Sequence, residues 1–197
     1  MKTVYNKNDK AIILKEELGK GGEGIIYLVD TKTVAKIYHT KSLLPEKEGK
    51  IKALIAKKIR LEGICAPIES LFDERGHFVG YIMPKANAES GFELQTCVFN
   101  PALLKLKLAD WDRINLANLS ISILEKIKLL HENDIIIGDI NPFNILIKDV
   151  KTVYFVDVDS YQVDNYPCRV RTVHFTAPEI QNVDSFNKLI RTKEHEY

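Results

Sequence analysis

The spacing of apolar residues changes once along the chain, and the change divides it in two. Residues 11–18, 25–30 and 33–38 are short apolar runs rich in β-branched and aromatic side chains, the composition of strands. Two more such runs, 66–72 and 78–83, flank the turn sequence "DERG", and Pro84 closes the second. Between them, residues 45–58 place Ile51, Leu54, Ile55 and Ile59 at helical spacing, with Pro45 in the first turn. Lys47, Lys50, Lys52, Lys57 and Lys58 read as the solvated side of that helix. Past Pro84 the helical period takes over. Residues 101–108 predict a short helix. Residues 110–132 predict a long one, with Leu116, Ile123, Ile127 and Leu130 on one face and Asp110 as its N-cap. Short strands at 145–148 and 152–156 are expected around the turn "KDVK". Strands first and helices later describe an α+β chain with a hinge near residues 84–87, hence a first domain of 1–84 and a second of 85–197.

Composition narrows the functions open to such a chain. Its 197 residues suffice for one domain or two small lobes, and 45% apolar with 28% charged residues is the profile of a folded protein. A net charge of +1 gives no bulk attraction to nucleic acid or an anionic membrane, so neither is expected as a partner. "MKTVYNKNDK" lacks the apolar stretch of a secretory signal, and no run approaches the roughly 18–20 apolar residues of a membrane span. Cys65, Cys97 and Cys168 are scattered and form no C-x-x-C pair, which argues against a zinc site or disulfide framework and for reduced thiols in the cytoplasm.

Three segments carry candidate chemistry. "LGKGGEGIIYLV" fits G-x-G-x-x-G at Gly19, Gly21 and Gly24, with Ile26 just beyond. It is either a glycine-rich turn or a backbone cover for a polyphosphate; the β-branched residues after it favour strand–loop–strand over the strand–loop–helix of dinucleotide folds. Lys36 stands mid-strand in "VAKIY", either pointing to water or aimed at phosphates and held by a carboxylate of the following helix, for which Glu48 is the candidate. "GDINPFNILI" and "YFVDVDSYQ" place Asp139, Asn144 and Asp157 at strand edges. Such residues cap and turn loops, but together they supply the oxygen ligands and the acceptor carboxylate that a magnesium–phosphate reaction needs.

The ordered set Gly19, Gly21, Gly24, Lys36, Asp139, Asn144, Asp157 and Ala177-Pro178-Glu179 resembles the protein-kinase superfamily over nearly the whole chain. The "INPFNIL" and "FVDVDSYQ" versions look closest to a divergent bacterial, Ser/Thr-like branch. The resemblance implies a two-lobed protein-kinase-like fold, with a β-rich N-lobe and a helical C-lobe. It implies ATP and Mg²⁺ as cofactors, a protein substrate and, in that branch, a phosphatase partner. Residue by residue, Lys36 would contact the α/β-phosphates and pair with Glu48. Asp139 would take or orient the substrate hydroxyl, and Asn144 and Asp157 would hold Mg²⁺. The glycines and Ile26 would cover the nucleotide. Met83 would be the gatekeeper, with Pro84 and Ala86 lending hinge backbone groups. Thr172 would hydrogen-bond Asp139 and favours a Ser/Thr substrate. A nucleotide-binding pseudokinase that regulates a partner and a small-molecule phosphotransferase are the alternatives.

Four departures bear on this expectation. Gly138 stands where the family has arginine before the aspartate, so no cation is in place to dock a phosphorylated activation segment, and activity independent of such phosphorylation is expected. Asn141 replaces the lysine that neutralises the transferring phosphoryl group, which lowers the expected rate. D-F-G reads Asp157-Val158-Asp159, with Asp159 either joining the metal shell or capping a turn. Finally, the sequence ends at Tyr197, soon after Glu179, which reads as either a truncated C-lobe or a minimal kinase-like protein; truncation would leave the long helix partly uncovered, with an apolar patch that invites self-association.

Overall fold

The alternating residues of the first part form an antiparallel sheet. The computed structural model describes residues 2–39, 45–88, 92–183 and 189–196. The chain divides into two compact units, Met1–Arg60 with Cys65–Lys85, and Leu61–Ile64 with Ala86–Tyr197.

Unit one contains β1 (Lys2–Tyr5), β2 (Ala11–Leu14), β3 (Glu17–Lys20), β4 (Gly24–Leu28), β5 (Thr33–Tyr38), α1 (Pro45–Ala56), β6 (Glu69–Phe72) and β7 (Phe78–Pro84). The strands form one sheet in the order β2-β1-β6-β7-β5-β4-β3, antiparallel throughout. The predicted strand at 11–18 is in fact two. The chain breaks at Lys15 and Glu16, whose backbone bonds to Leu28 let β2 and β3 occupy opposite edges of the sheet. The strand β1, which pairs with β2, carries no signal strong enough to have been expected.

β5 runs through the interior and is buried on both faces. Ala35 and Ile37 join Val4, Leu14, Leu71 and Ile82 in one apolar core. Val34, Lys36 and Tyr38 alternate with them and are buried on the other side. Close approach of the neighbouring strands needs two glycines. A Cβ on Gly24 of β4 would run into the Ile37 carbonyl, and one on Gly80 of β7 into the Lys36 carbonyl.

Unit two contains α2 (Leu94–Cys97), α3 (Pro101–Lys107), α4 (Arg113–Glu132), β8 (Ile135–Ile136), β9 (Ile145–Ile147), β10 (Val153–Phe155) and β11 (Gln162–Val163). β9 pairs with β10 and β8 with β11, both antiparallel. The α4 cap is Asp112, not Asp110: its carboxylate accepts from Ile114 and Asn115 N–H, and the Asn115 side chain accepts from Asp112 N–H. The expected face of α4 holds in part: Ile127 and Leu130 are buried together with Leu119, Ser122 and His131, while Leu116 and Ile123 are half-buried. Ser122 is there because its hydroxyl donates to the Val150 carbonyl in the β9–β10 turn (2.8 Å). Ile114, Ile121 and Leu124 are exposed. No helix among the described residues is long and apolar enough to cross a membrane. Cys65, Cys97 and Cys168 are buried, and burial pushes the Cys65 thiol up to about 12.

The glycine requirement can be tested. Gly80→Ala is expected to cost about 1–3 kcal/mol, as overpacking does, whereas Gly22→Ala, where a Cβ meets nothing within 4 Å, should be near neutral. Urea unfolding of both variants is the check; equal midpoints would contradict the close-approach explanation.

Candidate functional site

In unit one, β3 and β4 are joined by a tight turn in which Gly21 N–H donates to Gly24 O (2.9 Å). The glycines divide by role. Gly24 is demanded by the sheet, whereas a Cβ on Gly19 would meet nothing within 4 Å and one on Gly21 only the Gly24 carbonyl at 3.9 Å. Protein packing therefore does not explain Gly19 and Gly21. Both are exposed, and their bare backbone leaves that side of the turn open to a close-approaching group.

Residues paired across antiparallel strands share a face. The pairs Gly24↔Tyr38, Ile26↔Lys36, Val34↔Met83 and Lys36↔Tyr81 therefore gather Gly24, Ile26, Lys36 and Met83 on one side of the sheet. Val34 belongs to the same face and escaped the sequence reading. Pro84 pairs with Thr33 at the end of β7, and Ala86 begins the part of the chain that belongs to unit two.

Lys36 is 6% exposed, and a buried ammonium needs a compensating anion. Its Nζ lies 3.7 Å from Glu23 Oε2, in the glycine turn, and 5.6 Å from the Tyr38 ring centroid. Lys47 corrects the solvated-face expectation. Its Nζ is 2.6 Å from the same Glu23 oxygen and 4.5 Å above the Tyr38 ring. Glu23 is thus held by two ammonium groups, while His39 N–H donates to its carbonyl (2.8 Å). Glu48, expected beside Lys36, instead pairs with Lys52 at 2.7 Å, because the i,i+4 spacing places that ammonium directly above it on α1.

In unit two, the loop between β8 and β9 carries Asp139, Asn141 and Asn144, which line one small cleft with Ile137, Ile140, Ile145, Phe155 and Tyr161. Asp139 Oδ1 is buried with no hydrogen-bond donor among the described residues. Asn141 acts as a cap: its side-chain oxygen accepts from Phe143 N–H (3.0 Å) and starts the 3-10 turn Pro142–Asn144. Asn144 is tied to the neighbouring strand, since Val156 N–H donates to its carbonyl (2.9 Å). Asp157 follows Val156 directly and adopts a left-handed backbone (φ 58°, ψ 32°), which is uncommon for a residue with a side chain. The β9–β10 register therefore brings Asn144 and Asp157 to the same end of one hairpin. Asp159 is 2% exposed in the 3-10 turn Val158–Ser160. The Thr172 hydroxyl forms no hydrogen bond with Asp139 among the described residues; it is the Thr172 carbonyl that is used, accepting from Phe175 N–H and Thr176 Oγ1.

Among the described residues no three His, Cys, Asp or Glu side chains converge as a self-sufficient metal site. Magnesium does not require one, because it is commonly held by one or two side-chain oxygens together with phosphate oxygens and water. Asn144 and Asp157 fit that pattern.

Gly138 is fixed more tightly than the sequence suggests. Its φ is +74°, and a Cβ there would collide with the Arg191 guanidinium and with Cys168. Its N–H donates to Glu196 Oε1. Arg191 and Glu196 lie more than fifty residues away in an unpatterned polar segment, so no periodicity or motif marks them. Gly138→Ala should therefore destabilise the protein by about 1–3 kcal/mol through left-handed strain and the clash. Chemical denaturation of the variant measures this; an unchanged midpoint would mean that Arg191 does not pack against Gly138.

No family model matches this chain. It is 31% identical over 203 residues to "Protein kinase YegI" of Escherichia coli (strain K12), covering 98% of this chain and 31% of that protein, and 30% identical over 204 residues to the protein of the same name in Escherichia coli O157:H7. It is 29% identical over 151 residues to "Serine/threonine-protein kinase YabT" of Bacillus subtilis (strain 168), covering 74% of this chain and 41% of that one. The chain thus spans about a third of the length of the first of these relatives. Its α+β fold, a β-rich unit followed by a small helical part, and its sequence together establish a protein-kinase-like relationship.

Proposed function

We propose that this chain carries the catalytic core of a Ser/Thr protein kinase and transfers the γ-phosphoryl group of ATP to a protein hydroxyl. The observation that carries the reading is Asp139 Oδ1, a buried carboxylate oxygen without a donor among the described residues, in the same loop as Asn144 and beside the hairpin end that presents Asp157. An unsatisfied buried acceptor is costly to keep. A substrate hydroxyl supplies the missing donor.

In this reading, the open backbone at Gly19 and Gly21 lets the phosphates approach the turn and the ammonium of Lys36 binds them, while Ile26, Val34 and Met83 offer the apolar face for the base. Glu23 faces Lys36 at 3.7 Å, so an incoming phosphate takes over from a carboxylate as the counter-charge of the lysine. Asn144 and Asp157 hold a magnesium ion, which when bound offsets phosphate charge. Asp139 orients the acceptor hydroxyl and takes its proton. The acceptor oxygen bonds to the γ-phosphorus as the bond to the bridging oxygen breaks, and ADP leaves with that electron pair. Asn141 brings no cation to the transferring group, so turnover is slow.

The test is transfer of labelled γ-phosphate from MgATP to dephosphorylated casein and to the chain itself. Asp139→Ala is expected to lower the rate about 10²–10⁴-fold, the usual worth of a positioned acid–base group, with MgATP binding retained. Equal, negligible transfer by wild type and variant, with MgATP bound by both, would instead favour a regulatory nucleotide-binding protein.

A further inference from the structure

The segment around residues 191–196 presents two buried charges to the Asp139 loop. Arg191 is 2% exposed. Its Nη1 donates to the Cys168 carbonyl and its Nη2 to the Val170 carbonyl, each at 3.0 Å. Its backbone is pinned twice by the Gln162 side chain: Arg191 N–H donates to Oε1, and Nε2 donates to the Arg191 carbonyl, both at 2.7 Å. Gln162 lies on β11 opposite Ile136 of β8, two residues before Gly138. Glu196 closes the arrangement. One carboxylate oxygen accepts from Gly138 N–H, and the other is 2.7 Å from His131 Nε2 on α4, with both side chains at most 4% exposed.

Charges are not withdrawn from water at random: a guanidinium stays charged wherever it is placed, and a buried carboxylate must be met by donors. Here Arg191 is spent on backbone carbonyls, and Glu196 on one backbone amide and the His131 ring. Arg191 fixes the chain just ahead of Thr172, and Glu196 fixes the residue just ahead of Asp139. The glycine at 138 is what leaves room for the guanidinium. The cation missing from the loop sequence is therefore supplied from another part of the chain.

We propose that Arg191 and Glu196 are positioning residues: they clamp the Asp139 loop and the 168–170 segment in a working arrangement, so that no phosphate on the activation segment is needed to order them. This rests on the phosphoryl-transfer reading for its consequence in turnover, but not for the clamp itself. Neither residue touches the reacting atoms; Arg191 acts through the Cys168 and Val170 carbonyls, and Glu196 through the Gly138 amide and His131.

The experiment uses the full chain, phosphatase-treated, as wild type, Glu196→Gln and Glu196→Ala. It measures kcat and KM for ATP with casein, together with hydrogen exchange of the Gly138 amide. Glu196→Ala should lower kcat about 10–100-fold, as a small misplacement of a catalytic group does, leave KM for ATP unchanged within about twofold, and speed Gly138 exchange. Glu196→Gln retains an acceptor oxygen and should recover most of both losses. The clamp is overturned if Glu196→Ala leaves Gly138 exchange and kcat unchanged, or if kcat, ATP affinity and Tm all fall together and Glu196→Gln rescues none of them. If wild type transfers no phosphate, the kinase reading falls, and Gly138 exchange alone decides: faster in Glu196→Ala supports the clamp, and equal rates overturn it.

Discussion

The burial of Lys36 in the middle of β5 is the constraint on which unit one depends. An ammonium held at 6% exposure in an apolar sheet is tolerated only with a partner of opposite charge nearby. That requirement explains why Glu23, in an otherwise open glycine turn, is drawn back toward the sheet, and why Lys47 and the Tyr38 ring close around it. The glycines that flank β5 answer a separate need, close approach of backbone. Strands that carried side chains at positions 24 and 80 could not approach the backbone on either side of the lysine.

Unit two solves the complementary problem with anions and amides. The β9–β10 register sets Asn144 and Asp157 at one hairpin end, a left-handed residue turns the chain at Asp157, and the Asn141 cap shapes the loop that precedes it. Asp139 keeps a buried oxygen that no donor meets among the described residues. Strain at Asp157 and an unsatisfied acceptor at Asp139 both run against stability, and features of that kind concentrate where chemistry is done.

Much of this was legible in the sequence because it is local. Short apolar runs rich in β-branched and aromatic residues marked β5 and β7, the glycine spacing marked the turn, and the order of Lys36, Asp139, Asn144 and Asp157 marked the candidate set. What failed was non-local. A single apolar run at 11–18 gives no hint that its halves leave for opposite edges of a sheet. Glu48 and Glu23 were equally available to Lys36 by composition, and only the tertiary path of the glycine turn separates them. Asp110 and Asp112 are both good caps, and the choice fell to the one with Asn115 three residues on. Gly138 looked like the loss of a charge, because its replacement, Arg191, approaches from a segment with no periodicity.

We propose that the Lys36 face of the sheet, beside the open glycine turn, receives the phosphates of a nucleotide. Calorimetric titration of MgATP into wild type and Lys36→Met tests it most directly. The account predicts one nucleotide bound per wild-type chain and a loss of affinity of about tenfold or more in the variant, as expected when a charge-assisted contact is removed. Equal affinity in the two proteins, or no binding to wild type, would contradict it.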